Sequence, residues 1–386
     1  MGTNRWVKWA RRGHHELMTA TPAWPARGPR DRDELAAWTT ADLADDLLGE
    51  VPDLSGPHPA GWTELVNAGG VHVRREPGPT EGTPVWFIHG LGGSSTDFSR
   101  LGAALSPFAT GYSLDLPGSG RSDPPPFGRH SPLGDSDVAA DTIAQVSGGP
   151  VHLVGHSYGG VVATLLAACR PELVRSLTLI SPAVPDLRLT SDRGADPRLG
   201  LLLMPGTAGL AYQRLGSIPP MDRARGMGEL CFGRPELISD EDYRAAAAEH
   251  LWRGSLPWVF SATVGTLRGL MTWYLRPGRL PFAAAAKRVR VPTLVIWGTR
   301  DRLVDVRLAK PTADAFAQAR LLVLEGCGHV PQMEDPWSTA RAMIELWRSR
   351  TAGAGHEVSG RSMTLGSNTV KTGAPQLSGV SAMATS

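Results

Sequence analysis

The chain has 386 residues, of which 41% are hydrophobic, and this excludes an intrinsically disordered protein. Its formal net charge of +2 is nearly balanced, so charge gives no reason to expect a nucleic acid or a strongly anionic partner. Because no segment supplies the roughly 18 consecutive apolar residues of a membrane span, we expect no stable membrane insertion.

The first sixty residues are weakly patterned and are predicted to be a partly helical N-terminal extension. Five of them recur at roughly helical spacing: Leu35, Trp38, Leu43, Leu47 and Leu48. The basic start, MGTNRWVKWARRGHH, lacks the apolar stretch of a secretory signal. We therefore expect a solvated leader, rather than a membrane-surface segment, on a cytoplasmic protein.

Between about Gly61 and Arg350, short apolar runs alternate with helical stretches. The runs include VWFIHG, YSLDLPG, VHLVGH, LTLISPA, TLVIWG and LLVLEG. The helical stretches include FSRLGAAL, YGGVVATLLAAC and RLAKPTADAFAQA. This alternation predicts an α/β fold with a mostly parallel central sheet covered by helices. WTELVNAG and VHVRREP, joined by a glycine turn, predict an antiparallel hairpin at its start.

The alternation is broken once, before TLVIWG. Residues 186–285 are rich in Leu, Met and Gly, and they are far too many for an ordinary connection. We predict that they form a helical cap over the sheet edge where open α/β sheets bind ligands. The core is then 61–185 and 286–350. Residues 351–386, rich in Gly, Ser and Thr, are predicted to be a disordered tail.

The segment LVGHSYGGVV places Ser157 in the turn between a predicted strand and a predicted helix. Such a G-x-S-x-G turn forces the serine into a strained conformation that aims its hydroxyl away from the sheet. Gly155 and Gly159 flank it because side chains there would collide where strand and helix cross. The turn therefore predicts a nucleophilic serine.

A serine hydroxyl needs a base to remove its proton, and a carboxylate to orient that base. His329 follows the predicted strand LLVLEG, and Asp301 follows TLVIWG. Both loops should emerge at the same sheet edge as Ser157, so we predict a Ser157–Asp301–His329 triad. Asp305 and Asp186 are the alternative acids.

The oxyanion of a tetrahedral intermediate needs two N–H donors. We assign the backbone N–H groups of Tyr158 and Leu91, with Gly92 as the alternative to Leu91. The HGLGGSS loop is not a phosphate-binding loop, because no lysine follows it. His89 and His156 are interpreted as structural.

The segments HGLGGS, DLPGSGRSD, GHSYGG, WGTRD and GCGH, in this order, resemble the α/β-hydrolase superfamily. The resemblance implies the α/β-hydrolase fold. Haloalkane dehalogenases and most epoxide hydrolases of this family have an aspartate at the nucleophile position, so Ser157 implies the branch with a serine nucleophile. Carbon–carbon bond hydrolases typically carry Asn where this chain has His156. Haloperoxidase relatives often have Trp at a place similar to that of Phe98 in this chain. Prolyl aminopeptidase relatives usually have Trp where this chain has Tyr158. A lidded, esterase- or lipase-like enzyme remains.

We therefore predict hydrolysis of a carboxylic ester or related acyl bond of a small, rather apolar substrate, through an acyl-enzyme. The alternatives are an acyltransferase using the same triad, a carbon–carbon bond hydrolase, a cofactor-free haloperoxidase or perhydrolase, and a non-catalytic binding protein. No organic cofactor or metal is expected. Cys327 and His329 lack further ligands at zinc-site spacing, and the three cysteines are interpreted as apolar fillers.

Overall fold

The computed structural model describes residues 34, 37–47, 61–66, 69–125, 130–185, 216–275 and 281–356. The chain divides into two compact units, Met1–Arg348 and Ser349–Ser386. In the second unit, the described residues 349–356 belong to the last helix. The rest of the predicted tail, residues 357–386, lies outside the described residues. In the part of the chain that the structure describes, no helix is both long and apolar enough to cross a membrane.

An eight-stranded sheet organises the first unit. Its strands are Gly61–Val66 (β1), Gly69–Glu76 (β2), Val85–Ile88 (β3), Gly111–Leu114 (β4), Val151–His156 (β5), Val174–Ile180 (β6), Thr293–Gly298 (β7) and Ala319–Leu324 (β8). The strand order is β1-β2-β4-β3-β5-β6-β7-β8. The β1–β2 and β2–β4 pairs are antiparallel, and all the others are parallel. The predicted α/β fold, with its hairpin at the start, is confirmed.

Helices alternate with the strands in the chain. They are Ser99–Leu105 (α1), Pro132–Ser147 (α2), Tyr158–Cys169 (α3), Pro220–Cys231 (α4), Asp240–Gly254 (α5), Val259–Tyr274 (α6), Pro281–Ala286 (α7), Ala309–Asp314 (α8), Pro331–Glu334 (α9) and Pro336–His356 (α10). Local signals set their ends: the Ser131 side chain caps α2 by accepting from Gly134 N at 3.0 Å, and Gly148 ends it at φ +64°.

The central strands are buried on both faces, and their alternate residues enter two separate cores. Trp86 of β3, Leu153 of β5 and Trp297 of β7 pack with α2 and α3 on one face. Phe87, Val154 and Ile296, their chain neighbours, pack with α1 and α10 on the other. Because these strands are buried on both faces, they appear in the sequence as continuous apolar runs.

Between β6 and β7 the structure describes α4, α5, α6 and α7, of which we call the first three the inserted helices. The inserted helices lie within residues 186–285, where a helical cap is predicted. Residues 186–215 and 276–280 of that range lie outside the described residues. Gly228 of α4 packs against α5: a Cβ at Gly228 would come within 2.8 Å of the Tyr243 hydroxyl. Helix α6 is buried through Leu270, Trp273 and Tyr274.

Two predicted helices differ in the structure. Residues 39–44 are not helical, because Thr39 and Thr40 lie beside the edge strand β8. Their hydroxyls accept from Val323 N at 3.1 Å and Leu321 N at 2.9 Å. These contacts satisfy groups that an edge strand leaves without partners. The predicted helix 307–319 is shorter: α8 ends at Asp314, and Phe316 N bonds Ala313 O at 3.0 Å in a tight turn before β8.

Candidate active site

Ser157 lies between the end of β5 and the start of α3, with φ +50° and ψ −117°. Few residues other than glycine adopt a positive φ, so this backbone is strained. Neighbouring main chain fixes it: Ser157 N bonds Ile180 O, and Ala183 N bonds Ser157 O, both at 2.9 Å. The side chain is half-buried. The strain is therefore supported by the adjoining strand end.

Close main-chain approach explains the glycines on either side of Ser157. A Cβ at Gly159 would overlap the carbonyl oxygen of Ile88, at the end of β3. A Cβ at Gly155 would overlap the carbonyl oxygen of Gly159. Helix α3 can therefore leave β5 this sharply only if both positions lack side chains.

His329 and Asp301 form a buried hydrogen-bonded pair. His329 Nδ1 donates to Asp301 Oδ2 at 2.8 Å. The other carboxylate oxygen, Oδ1, accepts from the N–H groups of Leu303 and Val304, both at 2.9 Å. The backbone thus fixes the carboxylate plane. With the proton on Nδ1, the His329 ring presents Nε2 as a base.

The alternative acids are placed differently. Asp305 is half-exposed and pairs with Arg307, its Oδ2 lying 2.9 Å from Arg307 Nε and its Oδ1 accepting from Arg307 N. Asp186 lies outside the described residues. Among the described candidates, Asp301 is therefore the carboxylate that contacts His329.

His156 connects the turn that carries Ser157 to residues 325–330, the loop after β8 that carries His329, which we call the histidine loop. Its Nε2 donates to the carbonyl oxygen of His329 at 2.9 Å, and the two imidazole centroids are 4.9 Å apart. Burial holds the pKa of His156 well below its usual value, so this imidazole is neutral. Within the described residues no hydrogen bond joins the Ser157 hydroxyl to His329. Apo sites often lack this contact until substrate binds.

The two N–H groups predicted for the oxyanion belong to Tyr158, which follows Ser157 in the chain, and to Leu91, in the loop after β3. Tyr158 is the first residue of α3, so its N–H is outside the helical hydrogen-bond ladder. Leu91 follows Gly90, where an added Cβ would come within 3.1 Å of Ser157 Cβ. The Leu91 N–H has no main-chain partner among the described residues.

His89 supports this loop and does not face the reacting groups. Its Nε2 accepts from Leu116 N at 3.0 Å, so the proton is on Nδ1, which donates to Gly90 O at 2.7 Å. The ring thus joins the loop after β3 to the loop after β4.

Helix α5, one of the inserted helices, contacts the loop after β3. Arg253 of α5 donates through Nη1 to the carbonyl oxygens of Gly92 at 2.5 Å and Gly93 at 3.2 Å. The preceding residue, Trp252, stacks under the Arg121 guanidinium, 4.3 Å from its ring centroid. Helix α5 therefore contacts the loops that follow β3 and β4.

One buried pair near the serine is not indicated by any pattern in the sequence. The Tyr158 hydroxyl donates to Asp135 of α2 at 2.5 Å. Burial raises the pKa of Asp135 to about 7. An acidic residue in the first turn of a helix is expected from the helix dipole alone. The sequence near Asp135 therefore gives no signal that identifies Tyr158 as its partner.

Cysteines and metal-ligating side chains are two further groups of reactive residues in the chain. Cys169, Cys231 and Cys327 are all free thiols. Burial raises the pKa of Cys231 and of Cys327 to about 12, so neither is a thiolate at neutral pH. Across the described ranges, no three His, Cys, Asp or Glu side chains are grouped so that they could hold a metal ion.

Comparison with known proteins extends these observations. A family model described as "Alpha/beta hydrolase family" matches residues 87–340. An uncharacterized protein of Mycobacterium tuberculosis is 30% identical over 274 residues, 66% of this chain and 72% of that protein. A pimeloyl-(acyl-carrier protein) methyl ester esterase of Neisseria meningitidis is 28% identical over 279 residues, 72% and 80% of the two chains. A monoacylglycerol lipase of Homo sapiens is 29% identical over 201 residues, 52% and 55% of the two.

Solved structures are similar in fold. A meta-cleavage product hydrolase of Pseudomonas fluorescens aligns with a TM-score of 0.59 at 23% identity, covering 75% of this chain and 98% of that one. An esterase of Thermogutta terrifontis aligns with a TM-score of 0.54 at 20% identity, again covering 75% and 98%.

Proposed function

The chain belongs to the α/β-hydrolase family, and on that premise we propose that it is a serine hydrolase that cleaves a carboxylic ester or related acyl bond. The observation that carries the proposal is the strained Ser157, at φ +50°, on the same sheet edge as the bonded pair His329–Asp301. An ester bond is further supported by the relatives named as an esterase and a lipase.

In the proposed first half-reaction, Ser157 Oγ attacks the substrate carbonyl carbon while His329 Nε2 takes the hydroxyl proton. Asp301 keeps its hydrogen bond to Nδ1 and stabilises the imidazolium. The carbonyl oxygen becomes an oxyanion held by the N–H groups of Tyr158 and Leu91. When the intermediate collapses, the ester C–O bond breaks and His329 returns the proton to the leaving alcohol.

The second half-reaction repeats these roles with water. His329 takes a proton from water as its oxygen attacks the acyl carbon, and the second tetrahedral intermediate forms in the same oxyanion site. Collapse breaks the bond to Ser157 Oγ, which recovers its proton from His329, and releases the carboxylic acid. An alcohol in place of water would make the enzyme an acyltransferase.

The proposed substrate is small and rather apolar. The predicted cap, residues 186–285, contains many Leu and Met residues together with Trp252, Trp258 and Trp273, and pocket walls are mostly apolar. Leu91, beside the proposed oxyanion site, is 36% exposed and supplies apolar surface there. Short- and medium-chain esters without charged groups are therefore the first substrates to test.

A fluorophosphonate probe tests the proposal, because it requires an activated serine and an oxyanion site but little substrate recognition. We expect wild-type protein to be labelled, with the label on Ser157 by peptide mass spectrometry, and the Ser157→Ala variant to be unlabelled. Label on a residue other than Ser157, or no label on folded wild-type protein, would contradict the proposal. Added alcohols during ester turnover then separate hydrolysis from acyl transfer.

A further inference from the structure

One carboxylate, that of Glu334 at the end of α9, receives three main-chain hydrogen bonds. Its Oε1 accepts from Gly328 N at 2.5 Å. Its Oε2 accepts from Gly233 N at 3.0 Å and from Arg234 N at 3.2 Å. An ionised carboxylate is an acceptor at both oxygens, so the side chain can hold all three donors at once.

These donors belong to two segments that lie far apart in the chain. Gly328 directly precedes His329, whereas Gly233 and Arg234 form the turn that leaves α4, the first inserted helix. The same two segments bond directly, since His329 N donates to Cys231 O at 2.6 Å. They also pack without side chains between them: a Cβ at Gly328 would overlap the carbonyl oxygen of Cys231. The histidine loop and the end of α4 therefore form one packed unit.

The histidine loop needs external support because its own sequence is flexible. It reads Gly-Cys-Gly before His329, and Gly326 has φ +78°. Asp301 orients the His329 ring, but it does not fix the main chain that carries the ring. Three hydrogen bonds hold that main chain. The His329 N–H donates to Cys231 O, the His329 carbonyl oxygen accepts from His156, and the N–H of the preceding residue donates to Glu334.

We propose that Glu334 is a positioning residue, which holds the end of α4 against the histidine loop so that His329 is aligned for catalysis only while that end of the insertion is in place. The inference rests on the proposed function for its catalytic consequence. It implies that any opening of the insertion to admit substrate occurs away from residues 231–234.

Arg300, in the loop after β7, also connects the histidine loop to the end of α4. Its N–H donates to Cys327 O at 2.8 Å, and its Nη1 donates to Gly233 O at 3.2 Å. Arg300 therefore bonds both segments that Glu334 joins. It provides an independent position at which the connection can be weakened.

Glu334→Gln is the primary test. The glutamine amide has only one oxygen, so its NH₂ group would face a backbone N–H that the glutamate oxygen now accepts from. We expect kcat on p-nitrophenyl butyrate and the rate of fluorophosphonate labelling to fall about 10- to 100-fold, as small misplacement of a catalytic group does. KM should stay within about twofold, because residue 334 is not proposed to contact substrate. Asp335→Asn is the matched control: this neighbour accepts from Ser338 N at 3.0 Å to cap α10. It should leave kcat and labelling near wild type.

Hydrogen–deuterium exchange tests the coupling without using activity. Glu334→Gln should accelerate exchange in residues 228–236 and 326–332 together, and Asp335→Asn in neither. If the variant does not fold, Arg300→Met replaces it, with the same paired acceleration and a smaller loss of kcat. Labelling of the Glu334→Gln variant at the Asp335→Asn rate, or faster exchange in only one segment, would overturn the proposal. An unlabelled wild type would instead defeat the proposed function, while the exchange result would still stand.

Discussion

The hydroxyl of Tyr158, the residue after the candidate nucleophile, donates to the carboxyl group of Asp135 across 2.5 Å. Both side chains are buried. Burial is the largest cause that raises the pKa of Tyr158 well above its usual value and that of Asp135 to about 7. The bond joins α2 to the first turn of α3, which carries a proposed oxyanion donor. It therefore couples a titrating group to the stability of the site.

Asp135 should make the protein less stable as pH rises from about 4 to 7. In this range the unfolded chain releases the Asp135 proton, at its ordinary pKa of 3.8, while the folded chain retains it. Because the folded state binds more protons, the free energy of unfolding falls with pH, by on the order of 4 kcal/mol in total, and levels off above pH 7.

Asp135→Asn isolates this effect, since an amide oxygen still accepts from Tyr158 but does not titrate. Urea unfolding at pH 5, 6, 7 and 8 should show the variant gaining stability relative to wild type up to about pH 7. Glu76, whose pKa burial also raises to about 7, is present in both proteins and cancels in the difference. Parallel curves for the two proteins would contradict the assignment.

Asp301→Asn should lower kcat/KM for an ester by about 10³- to 10⁴-fold, because an amide at this position favours the wrong tautomer of His329. Ester hydrolysis and fluorophosphonate labelling both measure the loss. Asp305→Asn is the matched control, since Asp305 pairs with Arg307 and should alter kcat/KM by less than about twofold. Equal losses in the two variants would mean that the acid has been misassigned.

The parts of the site that sequence predicted depend on short-range pattern. Ser157 lies in a strand–turn–helix signature, and Asp301 and His329 each follow a strand, so parallel topology alone brings them to one edge. The sheet was predictable for the same reason, because buried strands and their crossovers are contiguous in the chain.

What sequence missed depends on contacts between distant residues. Asp135 and Tyr158 are on different helices, and Glu334 reaches residues 100 positions away. Thr40, whose segment has helical spacing, instead bonds β8 across 281 positions. In each case a polar group forms its hydrogen bond with a residue that is distant in the chain. Such a contact overrides local propensity and produces no periodic pattern in the sequence.

Gly159→Ala should destabilise the protein by more than about 2 kcal/mol and abolish labelling of Ser157. The new Cβ overlaps the main chain at Ile88, which cannot move without shifting β3. Gly226→Ala in α4 is the control, since a Cβ there meets no atom within 4 Å. It should gain about 0.5–1 kcal/mol of helix stability. Denaturant unfolding measures both, and a Gly159→Ala variant with normal labelling would refute the close-approach argument.

Arg253→Met should lower kcat/KM about tenfold, equivalent to ~1.4 kcal/mol, while the protein remains folded. Arg253 donates to the carbonyl oxygens of Gly92 and Gly93, the two residues after the proposed donor Leu91. Methionine keeps much of the apolar stem but loses the charge-assisted bonds, so the loop should become less ordered around the oxyanion. Arg244→Met, at an exposed position on the same helix, is the control and should be neutral. Steady-state kinetics on one ester compare them, and an unchanged kcat/KM for Arg253→Met would show that α5 does not position this loop.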